Sequence, residues 1–154
     1  MNLSDFLDFD AIKTALSGGN KRSLLQQLAN LAASRLTLDA AAILGSVTER
    51  EQLGSTGFGQ GVAIPHGKIE GLARIYCLFV RLAEPIDYKA IDGKPVDLVF
   101  LLLSPPDAGA EHLKALAAIN RVTRHLPTLE KMRGARSRDA LAAVLMGADE
   151  RDAA

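Results

Sequence analysis

His66 closes the stretch of the chain best suited to chemistry, residues 54–67, GSTGFGQGVAIPHG. A neutral imidazole is a nucleophile at physiological pH, so it can attack phosphorus and hold the phosphoryl group as a phosphoramidate. The same ring can later leave, which allows the group to be passed onward. Pro65 fixes its own φ and restricts Ile64, so the histidine follows a stiff point of the chain. His66 is therefore the candidate phosphoryl acceptor.

Candidate donors for the phosphoryl oxygens lie before and after this histidine in the sequence. Phosphoryl transfer depends mainly on positioning and on stabilising charge on those oxygens. Arg50 extends the apolar face of a predicted helix by one turn, where a charged residue is unusual. His112, near the predicted start of another helix, can add a donor or a positive charge. The hydroxyl groups of Ser55 and Thr56 and the N–H groups of the loop can complete a phosphoryl pocket.

The glycines of this stretch permit backbone angles that other residues resist, and we expect the loop to form the wall of the pocket. Nucleotide binding is not indicated. The GxxxxGK pattern of phosphate-binding loops is absent, and the third glycine of the GxGxxG pattern would fall at Val62. The expected pocket wall consists of Ser55, Thr56, Gly57, Gly59, Gln60 and Gly61.

Phe58 lies within the same loop and is the candidate docking residue. A protein that donates a phosphoryl group must bring its own reactive atom within reach of His66, so we expect exposed apolar side chains there. Encounters of this kind are usually small and weak. The alternative is that Phe58 packs into the core.

Two apolar runs, over residues 74–82 and 96–103, predict strands buried on both faces, because their apolar residues are continuous instead of alternating. A shorter strand is predicted over residues 62–64 and ends at Pro65. The spacer between the two long strands allows an antiparallel step, which predicts a mixed sheet. Strands of this type with helices before and after them indicate a layered α/β/α domain.

Helices are predicted to begin near Asn20 and Asp39, which are suitable N-caps, and near Gly109. Short helices follow over residues 127–133 and 137–146. Gly134 and Gly147 are the expected stops of these two helices, and His125 is expected to be solvated. The buried face of the helix near Gly109 is expected to carry His112, Ala115, Leu116, Ile119, Thr123 and Leu126.

Composition indicates one domain over residues 1–147, with residues 148–154 as a frayed tail. The 18 basic and 18 acidic residues balance, so nucleic acid is not an expected partner. The single cysteine, Cys77, lies in an apolar run and is expected to be buried. No apolar run is long enough for membrane insertion, and a cytoplasmic location is expected. We predict no cofactor and no metal site.

Residues 49–67, EREQLGSTGFGQGVAIPHG, resemble the active-site signature of IIA components of the bacterial phosphotransferase system, in the fructose/mannitol superfamily. The resemblance is greatest to the nitrogen-regulatory branch. It extends to AIDGKPVDLVFLLLSP at residues 90–105 and to EHLKAL at residues 111–116. It implies a three-layer α/β/α sandwich whose mixed sheet has about five strands, with helices on both faces.

The resemblance also implies roles for individual residues. His66 matches the histidine that is phosphorylated, Arg50 matches an arginine near it, and His112 matches a second histidine close to the site. The implied donor is an HPr-like phosphocarrier protein, itself supplied from phosphoenolpyruvate. The chain is thus expected to be a phosphotransferase-type carrier with a phosphohistidine intermediate.

Three functions remain open at this point. The first is a regulatory phosphocarrier that acts on nitrogen- or potassium-related or other metabolism through partner proteins. The second is a sugar-specific subunit that passes the group to a separate IIB domain. Gln60 favours the first, because mannitol-type members tend to carry an acidic residue there. The third is a docking module that is not phosphorylated.

Overall fold

The computed structural model describes residues 1–153, with the side chains of residues 1–148. Within this part of the chain, a mixed sheet forms the middle of the molecule. Its strands are β1 (Lys13–Leu16), β2 (Gly57–Gly59), β3 (Val62–Ala63), β4 (His66–Lys68), β5 (Tyr76–Ile86) and β6 (Val96–Ser104). The helices are α1 (Lys21–Leu36), α2 (Ala40–Gln52), α3 (Ala110–Thr123), α4 (Leu126–Gly134) and α5 (Arg138–Ala153).

The strand order is β1-β5-β6-β3-β2, and β4 also pairs with β6. The β5–β6 and β2–β3 pairs are antiparallel, whereas β1 is parallel to β5, and β3 and β4 are parallel to β6. Because β3 and β4 follow one another alongside β6, the six strands occupy five positions across the sheet. The predicted mixed sheet of about five strands is confirmed.

The long strand β6 shows why the domain has three layers. Leu98, Phe100 and Leu102 belong to a core cluster with buried residues of α3, α4 and α5. Val99 and Leu101 alternate with them and belong to the cluster formed with α1 and α2. The continuous apolar run therefore fills both faces of the strand, and the predicted α/β/α sandwich is confirmed.

The helix starts agree with the predicted caps. The Asn20 side chain accepts from the Ser23 N–H at 2.8 Å, and the Asp39 side chain accepts from the Ala41 N–H at 3.3 Å. Each therefore satisfies a backbone donor that a helix N-terminus leaves free. The prediction that Gly134 ends a helix is also confirmed.

Some local expectations are wrong. Strands β1, β2 and β4 were not predicted, since runs of two to four residues carry almost no periodic signal. Leu126 is not on the buried face of α3; it begins α4 and is 54% exposed. His125 is half-buried, with Nδ1 2.8 Å from the Thr128 hydroxyl, because it precedes the first turn of α4.

The last helix also differs from its expected length. Helix α5 continues past Gly147, because an isolated glycine costs a helix only about 1 kcal/mol. The predicted frayed tail, residues 148–154, falls mostly outside the residues whose side chains are described, so it stays a prediction. In the described part of the chain, the structure has no helix with the length and apolar character that crossing a membrane requires.

Candidate functional site

His66 begins β4, directly after the two residues, Ile64 and Pro65, that separate β3 from β4, and pairs with Leu102 near the end of β6. The Pro65 carbonyl accepts from the Leu102 N–H at 2.9 Å, so this short connection is itself bonded to the sheet. The side chain of His66 is 8% exposed. The sequence predicted a rigid presentation of this histidine, and its place in the sheet provides one.

One ring nitrogen of His66 is held by the backbone. Nδ1 lies 2.7 Å from the Ile64 carbonyl oxygen. A carbonyl oxygen can only accept, so in the neutral ring Nδ1 carries the proton. Nε2 then keeps the lone pair and is the nucleophilic atom of this ring. The sequence left the identity of this nitrogen open, and a contact between residues 64 and 66 decides it.

The surroundings of His66 favour its neutral form. Burial is the largest influence and lowers the pKa of His66 below 6.5, and the positive charge of Arg50 lowers it further. The Ile64 carbonyl and the Glu51 carboxylate act in the opposite direction without reversing the shift. A neutral imidazole with a lone pair is the form that attacks phosphorus.

His112 lies beside this ring, with the two ring centres 5.4 Å apart. It occupies the first turn of α3 and is 9% exposed, as the helical spacing predicted. Its Nδ1 is 2.6 Å from the Ser104 hydroxyl oxygen. Burial, with smaller effects of His66 and Lys68, lowers the pKa of His112 to about 4. This shift favours the neutral form of His112, and so the donor option over the option of a positive charge.

Arg50 stands in the last turn of α2 and is half-buried. Its Nη1 donates to the Gly54 carbonyl at 2.8 Å, which holds the side chain against the start of the glycine-rich loop. Its charge acts on His66, because it contributes to the lowered pKa of that ring. A guanidinium has five N–H donors, and the Gly54 contact uses one of them. The structure thus brings Arg50, His66 and His112 together.

The two predicted hydroxyl donors differ: within the described residues the Ser55 hydroxyl is seen only as an acceptor, whereas the Thr56 hydroxyl is bound to other side chains. The Ser55 hydroxyl oxygen accepts from the Gly57 N–H at 3.0 Å. Thr56 is fully buried, and its hydroxyl contacts the Glu51 carboxylate and lies 3.0 Å from the Tyr88 hydroxyl. The expectation that the Thr56 hydroxyl faces a phosphoryl group is therefore wrong. The backbone of Thr56 still reaches the site, since its carbonyl accepts from the Ile64 N–H at 2.9 Å.

Glu51 is the central residue of this buried network and was not predicted as a functional residue. Its carboxylate is 2.7 Å from Lys21 Nζ, accepts from the Tyr88 hydroxyl at 2.9 Å, and accepts from the Thr56 N–H at 3.2 Å. Burial raises the pKa of Tyr88, so this phenol stays protonated and can donate. The only sequence signal was the position of Glu51 next to Arg50.

The far half of the glycine-rich loop does not line the pocket. Gln60 and Gly61 turn the β2–β3 hairpin with φ of 61° and 79°. This tip lies at the start of β6, whereas His66 lies opposite Leu102, about 13 Å further along the strand. The expectation that Gly59, Gln60 and Gly61 form the pocket wall is therefore wrong.

The hairpin tip has a packing role instead. The Gln60 N–H donates to Asp92 at 3.0 Å, and the Gln60 carbonyl accepts from Arg133 at 2.6 Å. A Cβ on Gly61 would overlap the Arg133 guanidinium, and a Cβ on Gly57 would lie 2.8 Å from Ala90 Cβ. These glycines allow close approach between chain segments, which explains why glycine stands at both positions.

Apolar side chains are exposed on the elements that surround the two histidines. Phe58 is 45% exposed and lies in a cleft near Ile64 and Asn120, so it does not pack into the core. Leu113 follows His112 directly and is 66% exposed, and Leu53 at the end of α2 is 82% exposed. These three residues, Leu53, Phe58 and Leu113, are called the apolar rim below.

Known proteins share both the sequence and the fold. Residues 5–147 match the family model described as phosphoenolpyruvate-dependent sugar phosphotransferase system, EIIA 2. A nitrogen regulatory protein of Bradyrhizobium diazoefficiens is 46% identical over 145 residues, covering 94% of this chain and 95% of the relative. The fructose-specific EIIA component of the phosphotransferase system of Haloferax volcanii is 38% identical over 107 residues, which is 70% of each chain.

Solved structures agree with these relatives. The crystal structure of nitrogen regulatory protein IIA-Ntr from Neisseria meningitidis has a TM-score of 0.87 at 34% identity, covering 93% of this chain and 98% of that one. IIA mannitol from Escherichia coli has a TM-score of 0.76 at 15% identity, covering 90% and 97%, and shares the fold. The predicted resemblance to the nitrogen-regulatory branch is confirmed. The chain belongs to the EIIA type-2 family of the phosphoenolpyruvate-dependent sugar phosphotransferase system.

Proposed function

We propose that this chain is a cytoplasmic regulatory phosphocarrier, which accepts a phosphoryl group on His66 from an HPr-like phosphocarrier protein. The observation that carries the proposal is the pair of contacts around His66. A backbone carbonyl holds Nδ1 at 2.7 Å, while the second histidine ring lies 5.4 Å away and Arg50 acts on the same ring. A rigid neutral nucleophile beside donor groups is what phosphoryl transfer requires.

The transfer step conserves atoms and charge. The lone pair of His66 Nε2 attacks phosphorus of the donor's phosphohistidine, and the new N–P bond forms as the donor's own P–N bond breaks. The donor's phosphohistidine reacts with a proton on its other ring nitrogen, so the electron pair of the broken bond returns to a ring that leaves as neutral imidazole. The Nδ1 proton of His66 stays on its ring, hydrogen-bonded to the Ile64 carbonyl. Transfer onward is the reverse of this step with a different acceptor.

Arg50 and His112 have separate roles in this proposal. The Arg50 guanidinium supplies positive charge and further N–H donors to the phosphoryl oxygens, which carry most of the charge in the transition state. Neutral His112 supplies one more N–H donor without adding a charge. Lys68, on the exposed side of β4, adds positive charge near the two rings, since it also lowers the pKa of His112.

Regulation follows from the change in charge. A phosphoryl group adds about −1.5 to −2 charge at neutral pH, next to the apolar rim formed by Leu53, Phe58 and Leu113. A partner that fits the unmodified rim meets a different surface after phosphorylation, so modification changes which regulatory target proteins bind. The name nitrogen regulatory protein, carried by several relatives that match more than nine-tenths of the chain, supports a regulatory role in nitrogen-related or other metabolism.

A second candidate function has a specific observation in its favour. The relative from Haloferax volcanii is named a fructose-specific EIIA component and is 38% identical. If this chain had that role, it would pass its phosphoryl group to a separate IIB domain. Transfer from the labelled protein to such a domain, measured beside transfer from the carrier, separates the two functions.

The decisive experiment follows the intact mass of the protein with phosphoenolpyruvate, the first enzyme of the system and an HPr-like carrier. We expect an acid-labile gain of one phosphoryl group in the wild type and in His125→Ala, and no gain in His66→Ala. His125 is the matched control, because it lies at the start of α4. Modification of His66→Ala, or no modification of the wild type with several carriers, would contradict the proposal. The second of these results would favour the docking module that is not phosphorylated.

A further inference from the structure

Ser104 is the last residue of β6 and is completely buried. Its carbonyl accepts from the Ile69 N–H at 2.8 Å, which fixes the backbone at this point. Its hydroxyl oxygen lies 2.6 Å from His112 Nδ1, and this is the one side-chain hydrogen bond of Ser104 within the described residues. The contact therefore decides how both groups use their hydrogen atoms.

The two ways of making this hydrogen bond are not equivalent. A serine hydroxyl has one O–H donor, and a neutral imidazole has one N–H and one lone pair. If Nδ1 carried the proton, Ser104 would accept it, and its own buried O–H would have no acceptor among the described residues. A buried donor without a partner costs about 1–3 kcal/mol. If Ser104 donates to Nδ1, both groups are satisfied.

We propose that Ser104 is a positioning residue that donates to His112 Nδ1 and thereby fixes the proton of His112 on Nε2, where it can bond a phosphoryl oxygen. The inference rests on the proposed function of His66 for its role in transfer, but not for the tautomer itself. With the proton on Nδ1 instead, His112 would turn a lone pair toward an anionic oxygen. Ser104 therefore decides whether His112 attracts or repels the group being transferred.

The two histidines consequently have opposite tautomers. His66 donates from Nδ1 to the Ile64 carbonyl and keeps its lone pair on Nε2, whereas His112 accepts at Nδ1 and keeps its proton on Nε2. One ring provides the electron pair that attacks, and its neighbour provides a hydrogen for the oxygens. A carbonyl and a hydroxyl, each bound to a ring Nδ1, are sufficient to create this difference. The lowered pKa of His112 keeps the ring in the neutral form in which a tautomer is defined.

The first test is 15N NMR of the histidine side chains in the unphosphorylated full-length protein. We expect His112 protonated on Nε2 and His66 protonated on Nδ1 in the wild type. In Ser104→Ala we expect His112 to become a mixture of tautomers. The Thr123→Val variant, which removes a buried hydroxyl from α3, the helix that carries His112, should leave both patterns unchanged. A wild-type His112 protonated on Nδ1 would overturn the proposal without any measurement of transfer.

The second test is a double-mutant cycle on the rate of transfer from the HPr-like carrier. Ser104→Ala is expected to slow transfer about tenfold. Complete loss of one donor to transition-state oxygens typically costs more than that, whereas a mixture of His112 tautomers loses the donor only in part. His112→Gln keeps an N–H donor that needs no tautomer, so Ser104→Ala should slow this variant no further. Equal slowing in both backgrounds would overturn the proposal. If the wild type accepts no phosphoryl group, the proposed function fails, whereas the NMR result still decides the tautomer.

Discussion

At the scale of single residues, the chemistry depends on which atoms of the two histidines are occupied. His66 has Nδ1 bound to the Ile64 carbonyl and Nε2 unbound by any described residue. Arg50 reinforces this arrangement, because its charge opposes protonation of the nearby ring. In the proposed transfer the guanidinium would therefore have two effects: it favours the neutral form of the nucleophile, and it attracts the phosphoryl oxygens.

The first prediction concerns the titration of His66. Its protonation midpoint, followed by NMR, should lie below 6.5, because burial and Arg50 both disfavour the imidazolium. The reactive neutral form is then nearly complete at neutral pH and is lost only as the pH falls through that lowered midpoint. In Arg50→Gln the midpoint should rise, because one of the two causes is removed. Arg124→Gln changes an exposed arginine directly after α3 and is the control, which should not move the midpoint. A midpoint above 6.5 in the wild type would contradict the prediction.

At the scale of elements, the site is the meeting point of the end of α2, the start of α3 and the short strand β4. Glu51 ties the end of α2 to the N-terminus of α1 through Lys21, and to the loop before β2 through Thr56. The Thr56 carbonyl in turn holds Ile64, whose carbonyl holds the His66 ring. This series of hydrogen bonds joins a buried carboxylate to the nucleophile.

The second prediction is that Glu51→Gln reduces both stability and transfer. The substitution removes the partner of Lys21 and weakens the charge-assisted bonds from Tyr88 and Thr56, so the free energy of unfolding should fall by about 2 kcal/mol. Transfer should slow because Ile64 and His66 are less firmly held. Glu49→Gln, two residues earlier and exposed, is the matched control and should change stability by less than about 0.5 kcal/mol. Urea unfolding and the transfer rate provide the two measurements, and equal effects of both variants would refute this role.

The third prediction concerns the close approach of α2 and β4. A Cβ on Gly67 would lie 2.5 Å from the Ser46 hydroxyl oxygen and 3.2 Å from the Ser46 backbone. The same hydroxyl donates to the Lys68 carbonyl at 2.9 Å, so it cannot move without losing that bond. Gly67→Ala should therefore destabilise the protein by about 1–3 kcal/mol and shift the neighbouring His66.

Gly45→Ala is the control for this substitution. Gly45 lies in α2 next to Ser46. Apart from its chain neighbours and the helix backbone around it, no atom of the described residues lies within 4 Å of the position that a Cβ on Gly45 would take. It should raise the free energy of unfolding by about 0.5–1 kcal/mol, since alanine is the better helix former. The opposite signs of the two changes are the test. A neutral Gly67→Ala would mean that the helix can move away from the strand at little cost.

At the scale of the whole molecule, the apolar rim lies on segments that adjoin the residues of the site: Leu53 ends the helix of Arg50, Phe58 shares a cleft with Ile64, and Leu113 follows His112. Leu53, Phe58 and Leu113 belong to different elements, and each is at least 45% exposed. Exposed apolar side chains contribute little to the stability of the domain. Their contact with water is unfavourable, and a partner protein that covers them would remove that contact. A phosphoryl donor that contacts the rim would bring its own histidine to His66.

The fourth prediction separates docking from chemistry. The Phe58→Ser/Leu113→Ser variant should raise the KM for the HPr-like carrier about tenfold, because each residue is a candidate anchor of the contact. Modification by a small donor such as phosphoramidate should be unaffected, since it needs no protein surface. Met146→Ser, which changes an apolar residue of α5 with an exposure between those of Phe58 and Leu113, should alter neither rate. Loss of both activities in the rim variant would indicate damage to the site instead of lost docking.

The sequence by itself determined the family resemblance and the main elements, and it singled out His66 as the candidate phosphoryl acceptor. Continuous apolar runs over β5 and β6 predicted a sheet buried on both faces, and cap residues located the helices of the first half. Helical spacing predicted that His112 would be buried, and the position of Arg50 one turn beyond an apolar stripe predicted that it would point toward the site. These features are local, because they depend on residues within one or two turns or strands of each other.

Only the tertiary structure decided which atoms act and which loop residues take part. The tautomer of each histidine depends on Ile64 and Ser104, and the Thr56 hydroxyl is occupied by Glu51 and Tyr88, which lies 32 residues away. The hairpin tip at Gln60 lies far from His66 because of the register with β6. The tip lies beside the start of β6, whereas His66 lies beside its end. Hydrogen-bond partners and strand register are set by residues that are distant in the chain. A local sequence pattern therefore cannot predict either of them.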